Sequence, residues 1–295
     1  MVRIASVFLC LTAALLAQQS RLPQPVVTPE GVVNAASFQR EPLAPGSIIS
    51  IFGTNLGLQI VDGATTPISE IASQIPLATS LGGHSVVFST GNSEVPAPMF
   101  FVSGQANQIN AQVPWELAGQ QNTQMTVRVN DGASVTQSQP VPVDVSTAGV
   151  SPGIFTFDFG PGRAAAINVK VSADDDVING SFAQPEDSIA GAQPAPQGGY
   201  IIVFVNGMGP VNPPAVTGNN TLDGLRTATQ TPTVTVGGLP ANVQFSGLAP
   251  EFVGLYQINM ILSDDVPPGD QVPIRINLGG ALSRDDVTIA VRAGL

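Results

Sequence analysis

A chain of 295 residues is long enough to bury one or two cores, and its 43% hydrophobic content excludes a disordered polyampholyte. With 31 glycines, 26 prolines and only 11% charged residues, the composition favours many short strands joined by tight turns over long helices. The formal charge of −11, with Lys170 the only lysine, argues against nucleic acid or an anionic membrane surface as a partner.

The first stretch reads as a Sec-type signal peptide over residues 1–17. Arg3 supplies the positive start, and Ile4 to Leu16 is an apolar run too short to span a bilayer. Ala17 is a small residue suited to the cleavage site, with Gln18 as the new N-terminus. Cys10, the single cysteine, lies inside this run. The mature chain is therefore expected to be secreted or held at the cell envelope, to lack disulfides and a transmembrane segment, and to depend on its core. Residues 18–31 are read as a flexible lead-in.

From there the chain repeats itself. Gly46 to Gly57, GSIISIFGTNLG, is a β-branched run closed by a glycine-bearing turn, and Gly198 to Gly209, GGYIIVFVNGMG, is its counterpart. Val95-Pro96-Ala97 matches Leu239-Pro240-Ala241, Gln108-Ile109-Asn110 matches Gln257-Ile258-Asn259, and Val127-Arg128-Val129-Asn130 matches Ile274-Arg275-Ile276-Asn277. Val141, Val143 and Val145 parallel Val287, Ile289 and Val291. Blocks recurring in one order point to an internal duplication. Within each block the period is two, as a half-buried antiparallel strand requires. Ile68 to Ile75 could form at most a short helix before Pro76. The spacing of strands and turns predicts an all-β chain of two tandem immunoglobulin-like antiparallel β-sandwiches, over 32–149 and 152–295. Tyr256, two residues before the core position Ile258, has the placement of a tyrosine corner; an ordinary half-buried aromatic is the alternative.

NAASF, LAPGSIISIFGTNLG, the PAPMFFVSG-to-QINAQVPWEL block, SPGIF and PTVTVGGLPANVQFSGLAPEFVGLYQIN together resemble one family. It is the uncharacterised C-terminal domain family of secreted acidobacterial proteins of the Solibacter type, and the resemblance spans about residues 30–295. The second half is also similar to immunoglobulin-like IPT/TIG modules. The resemblance implies a binding or spacing role, and it carries over no functional residue.

Chemistry-bearing constellations are sparse. His84 is the only histidine; it follows Gly82-Gly83, reads as an exposed turn residue, and has no G-x-S-x-G elbow to serve. One histidine without cysteine cannot make a zinc set. No phosphate-binding loop ends in Gly-Lys-Ser/Thr. In the acidic turn around Asp174-Asp175-Asp176, the candidate calcium ligands are Asp174 and Asp176 with Asn179 as helper, against the plainer reading of solvated turn acids. Calcium is the only cofactor considered. Trp115, the sole tryptophan, is the candidate ligand-binding residue, either as a platform for a sugar ring or as a core or interface residue. Met99 to Val102 is first a core or contact run and second a ligand patch.

The expected function is therefore a secreted, non-enzymatic interaction or adhesion protein with an extracellular protein or polysaccharide as partner. A carbohydrate-binding module and a structural spacer are the alternatives, and a secreted hydrolase with paired carboxylates comes last. Recognition is expected first in the long loops Gly57 to Ser80 and Gly209 to Thr233, and second in the loop Phe245 to Val253.

Overall fold

The computed structural model describes residues 21–171, 177–178 and 180–294. The segment 1–17, read from the sequence as a signal peptide, and the expected calcium ligands Asp174, Asp176 and Asn179 lie outside them. Among the described residues there is no α-helix, only a 3₁₀ turn at Trp115–Leu117, and no helix long and apolar enough to cross a membrane. The fold is an all-β sandwich of mainly antiparallel sheets.

In the first half, the strands are β1 (Val26–Asn34), β2 (Ile48–Thr54), β3 (Ser69–Ile71), β4 (His84–Thr90), β5 (Ser93–Pro96), β6 (Met99–Ser103), β7 (Gln108–Gln112), β8 (Thr123–Asn130), β9 (Val135–Gln137) and β10 (Val141–Val143). One sheet runs β1-β2-β7-β6-β3, and the other runs β9-β8-β4-β5 with β10 also on β8. Alternation decides the inward faces. Ile49, Ile51, Ile109 and Ala111 of one sheet meet Val86, Phe88, Met125 and Val127 of the other in one buried cluster. Two expectations are corrected here. The segment 18–31 is not a flexible lead-in throughout, because Val26 and Val27 already pair with Thr54 and Gly53, and Val27 is buried. Ile68 to Ile75 forms no helix; Ser69–Ile71 instead pairs with β6, because Phe101 and Val102 offer a free ladder edge.

In the second half, β11 (Gly153–Ile154), β12 (Ala166–Val171), β13 (Tyr200–Asn206), β14 (Thr233–Val236), β15 (Leu239–Pro240), β16 (Asn242–Leu248), β17 (Tyr256–Ile261), β18 (Gly269–Leu278), β19 (Ala281–Leu282) and β20 (Val287–Arg292) enclose a separate buried cluster. The pairing order matches that of the first half. β13, β17 and β16 adjoin as β2, β7 and β6 do, and β14, β15, β19 and β20 surround β18 as β4, β5, β9 and β10 serve β8. The register matches as well: Phe52 faces Gln108 and Phe204 faces Gln257. Both β6 and β16 carry a bulge at the same place, between Met99 and Phe101 and between Val243 and Phe245.

One sequence match slips by two residues. Ser138 Oγ accepts the Val127 N–H at 3.1 Å, and Ser283 Oγ accepts the Ile276 N–H at 2.9 Å, so Val127 corresponds to Ile276 rather than to Ile274. The opposite partners agree, since Thr123 faces Val143 while Val272 faces Ile289. A slip of two leaves the same side chains facing the core, so hydrophobic alternation cannot detect it.

The halves meet through buried amides. Asn206 is fully buried and acts like an extra peptide on the edge of β2: its Oδ1 accepts the Ile48 N–H at 2.9 Å and its Nδ2 donates to Ile48 O at 2.8 Å. The same Nδ2 donates to Asn34 Oδ1 at 2.8 Å, and Asn34 Nδ2 donates to Ser151 O at 3.0 Å. Gly153 must be glycine for this approach, because a Cβ there would sit 2.9 Å from Asn34 Oδ1.

Candidate binding groove

The outward face of the β1-β2-β7-β6-β3 sheet carries a band of phenylalanines over a polar floor. On β2, Ile48, Ser50 and Phe52 alternate with the core residues Ile49 and Ile51. On β7 the same face presents Gln108 and Asn110, and Gln108 Nε2 donates to Asn110 Oδ1 at 2.8 Å. The bulge in β6 turns Phe100 and Phe101 outward together, opposite Asn110. A cavity of about 550 Å³ lies over this floor, walled by Phe38, Phe52, Phe100, Phe155 and Phe159. Phe100 also borders a second cavity of about 470 Å³, whose walls include Ile71, Ile75, Phe101 and Phe252. The two cavities share Phe100, and together they form a groove bordered by residues of β2, β7, β6 and β3.

Two of the wall residues, Phe38 and Phe159, sit in turns held in place by hydrogen bonds. Phe38 and Phe159 both adopt the left-handed region, with φ of 54° and 57°. That conformation is uncommon for a bulky side chain and costs on the order of 1–3 kcal/mol for each residue. Asn34 holds the first: its Oδ1 accepts the Ala36 N–H at 2.9 Å, and its carbonyl accepts the Phe38 N–H at 2.9 Å. Arg284 adds a bond to Ser37 O at 3.3 Å. Thr156 holds the second, accepting the Gly160 N–H through its hydroxyl at 3.0 Å. Asp158 accepts two bonds from the Arg163 guanidinium and one from its backbone N–H, which keeps the Asp158 carboxyl below the usual carboxylate range. Phe38 and Phe159 meet edge to face at 6.1 Å, and Phe159 remains 75% exposed. An exposed ring held in a costly conformation by a locked turn is a pre-organised contact surface.

Of the residues singled out by sequence, Phe100 and Phe101 of the Met99 to Val102 run line the groove, while Trp115, His84 and Tyr256 lie elsewhere. Trp115 lines neither cavity. Its ring packs on Gly46, where a Cβ would come within 2.2 Å of it, and against the core of the second half. Its backbone N–H donates to Thr217 Oγ1 at 3.0 Å, so it belongs to the contact between the halves. His84 is not an exposed turn residue. It is the fully buried first residue of β4, with Nδ1 donating to Gly82 O at 2.7 Å and Nε2 unpaired. Burial pushes its pKa down, so the ring is neutral near pH 7. Tyr256 is fully buried and its hydroxyl donates to Gly209 O, clamping the turn that follows β13. Asn107, its counterpart, clamps the corresponding turn through Leu56 N at 3.3 Å.

Of the two segments expected to be long end loops, 57–80 is not loop throughout: it forms a Leu58–Val61/Ala64–Pro67 hairpin followed by β3, and it supplies Ile71, Ile75 and Leu77 to the groove. The loop 209–233 docks on it through the Leu77 N–H to Gly218 O at 2.8 Å. The Phe245 to Val253 loop contributes Phe252. A larger cleft of about 890 Å³ is lined by prolines, aliphatic residues such as Val145 and Leu282, and polar residues such as Gln121 and Asn122, and contains no aromatic ring. Its Glu41 carboxylate is already engaged by the hydroxyls of Ser37 and Ser151, each at 2.7 Å. Among the described residues no group of three or more His, Cys, Asp or Glu side chains could hold a metal ion.

The Phe-walled cavity is bordered by rings, carboxamides and hydroxyls, with no titratable group among its lining residues. Such a surface can stack on apolar faces and hydrogen-bond to hydroxyls. Phe38 and Phe159 were not legible as site residues. The sequence signal for them was the pair of short motifs ending in Phe, NAASF and TFDF, whose turns place a ring where glycine or asparagine is usual. No protein-family model and no curated protein matches this chain.

Proposed function

We propose that this is an exported, non-enzymatic interaction protein of two immunoglobulin-like sandwiches related by internal duplication, and that the phenylalanine-walled groove is its recognition surface. The repeated pairing order, the shared register and the bulge common to β6 and β16 support the duplication. The apolar run Ile4 to Leu16 supports export. The same motif blocks that suggested the Solibacter-type family support membership in it. The observation that carries the functional reading is the pair of left-handed phenylalanines, Phe38 and Phe159, fixed in edge-to-face contact beside an uncharged polar floor.

The groove suits an extended, uncharged ligand with alternating apolar faces and hydroxyls, which describes a neutral oligosaccharide chain. Phe rings can cover sugar faces, and the Gln108 and Asn110 carboxamides can bond to hydroxyls. The test is affinity electrophoresis in gels containing neutral β-glucans or xylans. The wild-type chain is expected to be retarded, and the double variant Phe52→Ala/Phe159→Ala to lose most of the retardation. Covering about 80 Å² of the exposed Phe159 ring at ~25 cal/mol per Å² gives about 2 kcal/mol, roughly 30-fold in affinity, and the less exposed Phe52 contributes less. Retardation untouched in that variant and abolished by Trp115→Ala would refute the groove. A second reading has its own support: β3 ends its sheet and leaves Ile71 75% exposed beside Phe252, as a site for an added protein strand would. Pull-down of a protein partner lost on Ile71→Asp, with no glycan bound, would favour it.

A further inference from the structure

The second half repeats the central part of the groove. On the outward face of β13 stands Phe204, at the register position Phe52 holds on β2. Beside it on β17 are Gln257 and Asn259, and Gln257 Nε2 donates to Asn259 Oδ1 at 3.0 Å, as Gln108 does to Asn110. The bulge in β16 sets Phe245 opposite Asn259, as the bulge in β6 sets Phe101 opposite Asn110. All four second-half side chains are partly exposed. None is charged, in a chain with 21 acidic residues.

The core requires only that inward positions be apolar; it places no demand on which residues face outward. Duplication explains the shared register, yet the neighbouring outward residues Ile48 and Ser50 correspond to Tyr200 and Ile202, whereas the Gln–Asn pair and its two phenylalanines are the same in both halves. From this repetition we propose that Phe204, Phe245, Gln257 and Asn259 form a second binding face for the same ligand class. The ligand is accordingly a neutral polymer whose repeating unit is read twice by one chain. This inference rests on the groove being a neutral-glycan site. The residues repeated on the two faces are two phenylalanines, a glutamine and an asparagine, none of them charged, and a repeated uncharged reader matches a repeated uncharged polymer. Two sites also allow avidity, which raises apparent affinity for a long chain by about 100-fold where both can be filled together.

The experiment is calorimetric titration of the full mature chain with hexasaccharides from β-1,4-glucan, β-1,3-glucan and xylan. Two ligands bound per chain are expected for the hexasaccharide that binds. Phe204→Ala/Phe245→Ala should lower this to one, and Phe52→Ala/Phe101→Ala should do the same at the other face. Gln257→Ala/Asn259→Ala, which keeps both rings, serves as the milder pair and should weaken one of the two sites at least tenfold. A stoichiometry of one, abolished by the β2 and β6 changes and indifferent to all second-half changes, overturns the second face while leaving the groove reading intact. No heat with any of the three sugars overturns the glycan reading itself, and this inference with it.

Discussion

Replacing Asn206 by alanine is expected to destabilise the chain by about 3 kcal/mol, through a loss that can be followed bond by bond. Asn206 makes three hydrogen bonds, to Ile48 N, Ile48 O and Asn34 Oδ1. Two of the groups left behind keep a partner: Ile48 O still accepts the Ala35 N–H at 3.1 Å, and Asn34 Oδ1 still accepts the Ala36 N–H. Each of those two losses costs about 0.5–1 kcal/mol, and the Ile48 N–H, left unpaired, costs about 1–3 kcal/mol. Asn206→Asp adds a pH signature. The acid would face Ile48 O and Asn34 Oδ1, two acceptors that welcome a protonated carboxyl and repel a carboxylate. Its folded pKa would rise above the unfolded value of about 3.9. The folded state would then hold more protons, so stability would fall as pH rises through that range. The assay is urea unfolding followed by the fluorescence of Trp115, the single tryptophan, which sits at the contact between the halves. An Asn206→Ala cost below about 0.5 kcal/mol, or an Asn206→Asp variant with no change in pH dependence, would refute the idea that this amide joins the halves.

Three further outcomes follow from single side chains. Burial lowers the His84 pKa below its ordinary 6.5, so the unfolded chain binds the proton first. Stability should therefore drop as pH falls below about 6.5, and His84→Gln should remove that part of the slope in urea midpoints. Burial raises the Tyr256 pKa, so ultraviolet titration should show the Tyr256 phenol held un-ionised until the alkaline unfolding transition. Tyr256→Phe should cost about 1–2 kcal/mol by leaving Gly209 O unpaired, and a thermal midpoint equal to wild type would contradict that. Asp158→Ala should leave the unfolding midpoint nearly unchanged while weakening ligand binding several-fold, because it frees the turn that fixes Phe159.

The architecture was largely legible in the sequence because period two fixes which side chains go inward. Ile49/Ile51, Ile258/Met260 and Ile274/Ile276 all lie in the core. What alternation could not supply was register. The two-residue offset between Val127 and Ile276 is set by the Ser138 and Ser283 hydroxyls, and polar bonds of that kind leave no hydrophobic pattern. The groove was hidden for a related reason. Phe38 and Phe159 have ordinary identities and unusual dihedrals, and the dihedrals are imposed by Asn34, Thr156 and Asp158. Trp115 drew notice as a rare residue, yet rarity carries no position, and it packs on Gly46 between the halves. His84 follows two turn glycines and still turns inward, because its Nδ1 can be satisfied by the Gly82 carbonyl within the same turn.

The most direct test of the groove is a nuclear magnetic resonance titration of the mature chain with the neutral hexasaccharide that binds. Backbone and side-chain amide signals of Phe38, Gln108, Asn110 and Phe159 should shift in a saturable way, together with those of Gln257 and Asn259. Shifts confined to Trp115 and the 209–233 loop, with Phe38, Gln108, Asn110 and Phe159 unmoved, would contradict the account.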